Sequence, residues 1–247
     1  MKHKIISLLI IILPVSDLNA SFRSDIYNAY INNRMEQWKT TIDRMNEIKN
    51  KSNELILELV NYQYGYIGYC LGYKRRDEGK NYFVLARKNI EILEKKDYKL
   101  SMVHSYKSAF CFFRIILNRI TAPVNGIKSF DHAKSAVELD NENYLGYVQL
   151  GNTEFYMPSA FGGSKKDTLK YYLKAKELLE QVPGNTDDNW NYLQLLVVIG
   201  QTFTYLHDYS NAAAVFEKIL KLEPGFLYVK DELFPKLLQK MESGPKS

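Results

Sequence analysis

Histidine titrates near neutral pH and ligates most transition metals, so its placement bears first on possible chemistry. The chain has four, His3, His104, His132 and His207. They lie far apart in sequence, and none has a second ligand one helical turn away, so no metal site is expected. Neither a Gly-x-Ser-x-Gly elbow nor a His-Glu-x-x-His helix occurs. A phosphate loop would need a strand ahead of its glycines, and no strand is legible. Asp187 and Asp188 are adjacent carboxylates in a loop, better placed to cap the helix carrying Trp190 than to act as acid and base. Nothing here argues for an enzyme, and no cofactor is called for.

Two other groups of residues could bind. Gly162, Gly163, Ser164 and Lys165 form a candidate anion site, because free backbone N–H groups at a helix start favour negative charge. The competing reading is structural: the glycines turn the chain, and Ser164 with Asp167 makes an S-x-x-D cap. The second group is a tyrosine stripe. Of 19 tyrosines, Tyr62, Tyr66, Tyr69 and Tyr73 are spaced by 4, 3 and 4, which puts them on one helix face. They can equally be core and rim filling.

The elements that position these residues are helical. The 247 residues are 46% hydrophobic and 25% charged, a globular composition. With 13 Gly and 7 Pro, turns are too few for an all-β chain. A net charge of +5 is spread along the sequence, so nucleic acid is not an expected partner. Met1 to Lys4 is basic, Ile5 to Val15 is apolar except for Ser7 and Pro14, and a polar stretch then ends at Ala20. That is the layout of a secretory signal peptide, 1–20, with an uncleaved anchor as the alternative. The run is too short for a bilayer span, which takes roughly 20 apolar residues, and no second such run follows. The mature protein is therefore expected to be exported, to the periplasm, without a membrane span.

Beyond residue 20, apolar residues recur at spacings of three and four, as in Leu193, Leu196, Val197, Gly200 and Phe203. Breaks fall at Arg76–Gly79, Asp140–Asn143, Pro183–Thr186 and Glu223–Gly225. The expectation is an all-α fold of ten or eleven helices. Leu196, Ile199, Gly200, Phe203, Ala212, Phe216 and Pro224 occupy the places of a tetratricopeptide repeat, which this stretch resembles. Phe113 to Tyr147 and Leu117 to Gly151 are both 34 residues apart, the period of that family. An insertion of five residues falls within 157–166, and a degraded copy runs from Tyr64 and Gly68 to Ala86.

The resemblance implies antiparallel helix pairs stacked as a right-handed solenoid over 60–225. A divergent pair over 21–59 would precede it, with a closing helix over 226–241 and a disordered tail over 242–247 following. It also implies that the first helix of each pair lines a concave face. That face would carry Tyr62, Tyr66, Tyr69, Tyr73, Arg114, Asn118, Gln149, Asn152, Tyr156, Gln201 and Tyr205. Asn118 and Asn152 are 34 apart and would present amides in register to an extended peptide. The leading expectation is a scaffold that binds a peptide or partner protein in this groove. The alternative is a small-molecule-binding component of an uptake system, which a closed apolar cavity rather than an open trough would favour. Cys70 and Cys111 sit at different heights in their repeats and are expected to stay unpaired.

Overall fold

The computed structural model describes residues 15–243, with side chains from Ser21 onward except at position 161. Positions 1–14 of the expected leader lie outside the described residues, as do 244–247 of the tail. Eleven α-helices follow one another among the described residues. They are α1 (Val15–Ile31), α2 (Met35–Glu47), α3 (Asn53–Gly72), α4 (Arg76–Glu94), α5 (Leu100–Leu117) and α6 (Ala122–Leu139). α7 (Tyr144–Tyr156), α8 (Lys165–Gln181), α9 (Trp190–Tyr205) and α10 (Tyr209–Leu222) come next. A single π-turn over Tyr228–Leu233 then leads into α11 (Phe234–Glu242). Consecutive helices pack as antiparallel pairs, and the second helix of each pair packs on the first helix of the next. The architecture is all-α, as the periodicity indicated.

Side-chain caps set several helix starts. Ser52, Asn143, Ser164 and Asp208 each accept a hydrogen bond from a backbone N–H in the first turn that follows. α9 is capped by Asn189, at 2.9 Å from the Asn191 amide, and not by Asp187 or Asp188 as expected. The break expected at Arg76–Gly79 also moves: those residues form the first turn of α4, and the chain turns at Tyr73–Arg75 with Lys74 at φ 62°. Residue 60, taken as the start of the repeats, falls inside α3.

Glycine sets the spacing within pairs. A Cβ on Gly200 would overlap the Phe216 ring, and one on Gly151 would overlap the Tyr172 ring. An aromatic ring on the second helix thus packs directly against a bare patch of the first, in two successive pairs. The five-residue insertion is taken up between α7 and α8, in the turn holding the short 3-10 segment Ser159–Phe161.

The array does not stay open. α1 packs against α9, so the first pair meets the fifth. The Arg23 guanidinium donates to the carbonyls of Asp187 and Asp188, Tyr27 donates to Glu223 at 2.6 Å, and Tyr30 donates to Gln194 at 2.6 Å. Buried apolar residues from Phe22 to Leu237 consequently form one continuous cluster. No described helix is long and apolar enough to cross a membrane.

Candidate functional site: a cavity walled by aromatic rings

Closure of the first pair on the fifth leaves a cavity of about 460 Å³ inside the curl. α3 contributes the floor. Gly65, Gly68 and Gly72 are spaced by 3 and 4, so they form a bare stripe on one helix face. At Gly65 the stripe is roofed by two indoles: an added Cβ would sit 2.6 Å from Trp38 and 2.8 Å from Trp190. At Gly68 and Gly72 nothing lies within 4 Å of that position, so the stripe opens into the cavity. A helix-interior glycine costs about 1 kcal/mol relative to alanine. Here it leaves room for an occupant.

The walls are aromatic. Tyr64 stacks on Phe113 at 5.7 Å and meets Trp190 at 6.3 Å, while Tyr30 packs on Phe226 at 5.0 Å. Phe112 lies against Tyr156 at 4.6 Å, and Tyr69 against Tyr73 at 4.8 Å. The polar atoms are few and neutral. Gln149 donates to the Tyr64 hydroxyl at 3.4 Å and accepts from Asn152 at 3.1 Å, and Tyr172 donates to Asn152 at 2.7 Å. Gln201 donates to Tyr228 at 3.4 Å. No charged side chain lines the cavity among the described residues. Burial pushes the phenols of Tyr30, Tyr64, Tyr156 and Tyr228 above their ordinary range, so they are uncharged hydroxyls at neutral pH. The Trp190 indole N–H is buried with no acceptor. Of the lining residues, Asn33, Gly68, Gly72, Tyr73 and Tyr156 are exposed, which places the mouth where the first helices of the pairs end.

Six of the expected groove residues line this cavity: Tyr69, Tyr73, Gln149, Asn152, Tyr156 and Gln201. The other five do not. Tyr62 and Tyr66 share the α3 face of Tyr69 and Tyr73 but are buried there and donate to Glu58 and Glu78, so they do not reach the cavity. Arg114 is half-buried and its guanidinium lies over Phe83 of α4, 5.9 Å from the ring centre, rather than in the cavity wall. Asn118 ends α5 and caps the following turn through the Ile120 amide, so it forms no amide ladder with Asn152. Tyr205 is exposed and packs on Phe155 outside the cavity.

The glycine loop also differs from the anion cradle considered above. The amides of Gly162 and Gly163 bond to Ser159 and Pro158 carbonyls, and the Ser164 amide donates to the Glu154 carboxylate at 3.1 Å. Lys165 donates to the Phe155 carbonyl and lies over the Phe155 and Tyr205 rings. Ser164 accepts from the Asp167 amide at 3.2 Å, so the structural reading holds there. Sequence reasoning missed Trp38, Trp190, Tyr30, Tyr64 and Phe226. The glycine spacing on α3 was the signal that could have found the cavity.

His104 and His132 are not isolated. Although 28 residues apart, their Nδ1 atoms lie 3.2 Å from each other across α5 and α6. No cluster of three or more metal-ligating side chains occurs among the described residues.

No protein-family model matches the chain, and no curated protein matches it by sequence. The fold has solved relatives. The HusA haemophore from Porphyromonas gingivalis superimposes with a TM-score of 0.63 over 78% of this chain and 94% of that one, at 14% identity. BtubC from P. vanneervenii aligns more loosely, with a TM-score of 0.40 at 14% identity over 85% and 77% of the two chains. The first of these shares the helix-pair fold with this chain.

Proposed function

We propose that this protein is an exported carrier for a flat, mostly apolar small molecule of the tetrapyrrole class, which it holds without changing it chemically. The helix pairs are tetratricopeptide-like repeats, curled tightly enough to replace a peptide trough with a ligand cavity. The observation that carries the reading is the cavity itself: about 460 Å³, walled by tryptophan, tyrosine and phenylalanine rings, with neutral amides at its edge. Ligand pockets of this kind are mostly apolar with a few placed polar groups. Offset and edge-to-face contact with aromatic walls suits a planar ring system. The shared fold with a haemophore supports the same class of cargo. An extended peptide is disfavoured, because contacts between α1 and α9 interrupt any trough running along the repeats.

Among the described residues no histidine lines the cavity, and Met35 supplies its one sulfur. Burial holds the phenols of Tyr30, Tyr64, Tyr156 and Tyr228 protonated, so ring stacking rather than iron ligation would supply most of the affinity. Titrating the purified protein into a metal-free porphyrin tests this. A saturable red shift of the porphyrin's main absorption band at one equivalent supports the reading; an unchanged spectrum with micromolar protein removes it.

A further inference from the structure

The described residues that line the cavity carry no charge, but its mouth is not surrounded evenly. Turns within pairs all fall on the edge where the first helices end, and turns between pairs fall on the opposite edge. The first three turns on the mouth edge carry Arg34, Lys74, Arg75 and Arg119 and no acidic residue. The opposite edge mixes both signs, with Asp140, Glu142, Asp187 and Asp188 among its lysines.

The four cations differ in what they already bind. Arg75 lies over the Tyr69 ring at 5.7 Å and is paired with Glu36 at 3.0 Å and Glu78 at 2.7 Å, so its charge is compensated. Arg34 follows Asn33 and precedes Met35, and Lys74 follows Tyr73; all three of these neighbours line the cavity. Arg34 and Lys74 are exposed, and neither makes an ion pair among the described residues. Arg119 is likewise exposed and outside the ion pairs of the described residues, but its neighbours Asn118 and Ile120 do not line the cavity. Arg34 and Lys74 are thus the two unpaired cations at the lip of a cavity with no charged lining residue among those described. A ligand that buried an anion inside would lose hydration with nothing to replace it. One that kept its anionic groups at the lip would meet Arg34 and Lys74 while its ring filled the interior.

We infer that the cargo carries carboxylate groups on one edge of its ring, and that Arg34 and Lys74 receive them at the mouth. The inference rests on the carrier reading above and adds to it the charge and the orientation of the ligand. Guanidinium and ammonium groups at a solvated rim contribute specificity and a salt-dependent attraction more than gross affinity. The ring would enter with its unsubstituted edge toward Trp38 and Trp190.

The test compares a metal-free porphyrin bearing two propionic acids with its dimethyl ester, on wild type and on the Arg34→Gln/Lys74→Gln variant. Both positions are exposed, so the variant should keep the wild-type melting temperature and circular dichroism. For wild type the diacid should bind about tenfold more tightly than the ester, a difference that shrinks with added salt. The variant should lose that tenfold preference and bind the ester as wild type does. Equal binding of diacid and ester by wild type would overturn the inference while leaving the carrier reading standing. A variant that weakened both ligands alike would show a structural role for the two residues and overturn it as well. Binding of neither ligand to wild type would remove the carrier reading and this inference together.

Discussion

Trp38 on α2 and Trp190 on α9 meet edge to face, with ring centroids 5.0 Å apart, directly over Gly65 of α3. The two residues belong to the first and fifth helix pairs. Their contact converts a row of repeats into a closed curl, and it places both tryptophans of the chain in the wall of one cavity. The indole of Trp38 is fixed further by donating to the Tyr62 carbonyl at 3.0 Å.

Glycines in this fold divide into two kinds, and alanine substitution should separate them. Gly200→Ala would drive a methyl into Phe216, which is buried and cannot withdraw. Overpacking of this kind costs about 1–3 kcal/mol, a fall in melting temperature of several degrees for a chain of this size. Gly68→Ala meets nothing within 4 Å and gains helix propensity, so it should raise stability by up to about 1 kcal/mol. Thermal unfolding of the two variants checks both signs. Destabilisation by Gly68→Ala would mean that the stripe is packed rather than open.

Iron should matter little to binding. Among the described residues the cavity walls carry no imidazole, burial keeps the Tyr30 and Tyr64 phenols protonated, and Met35 supplies the one sulfur that could meet a porphyrin iron. Haem and its metal-free counterpart are expected to bind within about threefold, well under the 1.4 kcal/mol of a tenfold change. Met35→Leu, a volume-conserving change, should leave both affinities in place. A tenfold or greater loss of haem affinity alone in that variant would identify a thioether ligand.

Acid should weaken the fold through the histidine pair. Burial, the neighbouring His104 and then Lys107 push His132 down to about 4, against weaker opposing effects of Glu94 and Asp131. Glu94 is itself paired with Lys107. An unfolded histidine titrates near 6.5, so between pH 6.5 and 4 the unfolded chain takes up a proton that the folded chain refuses. Stability associated with neutral His132 is complete above about pH 6.5 and is lost as the pH falls through that window, by an amount on the order of 1–3 kcal/mol. Urea midpoints at pH 7.5 and 5 should differ in wild type and differ less in His132→Gln. Equal slopes in the two proteins would show that the pair does not control this window.

Cys70 and Cys111 are buried free thiols. Burial pushes Cys70 up to about 11 and raises Cys111 too, which removes thiolate at neutral pH. A thiol reagent should find almost no reactive group in the native protein and two after unfolding without reductant. Finding none after unfolding would mean that the two are joined.

Local features were legible in the sequence where one helix pair determines them. The spacing of Leu196, Gly200 and Phe203 gives a helix, and Gly200 against Phe216 is a packing unit contained within one repeat. The cavity is different, because it arises between pairs. Tyr62 and Tyr66 share one face of α3 with Tyr69 and Tyr73, yet the first two are buried against neighbouring elements while the last two line the cavity. Spacing identifies a face without saying which neighbour covers it. What covers each face follows from contacts such as Tyr30 with Gln194, 164 residues apart, and no short-range pattern encodes those.

The most direct measurement is tryptophan emission during titration with a metal-free porphyrin, in wild type and in Gly68→Leu. Both tryptophans of the chain border the cavity, so a ligand inside it must lie against them. Leucine at position 68 would project into open space above the floor, fill part of the 460 Å³ and leave the core untouched. Saturable quenching at one equivalent in wild type, with affinity reduced at least tenfold in Gly68→Leu and no fall in melting temperature, is the expected result. Equal quenching in the two proteins would place the ligand elsewhere and contradict the cavity as the binding site.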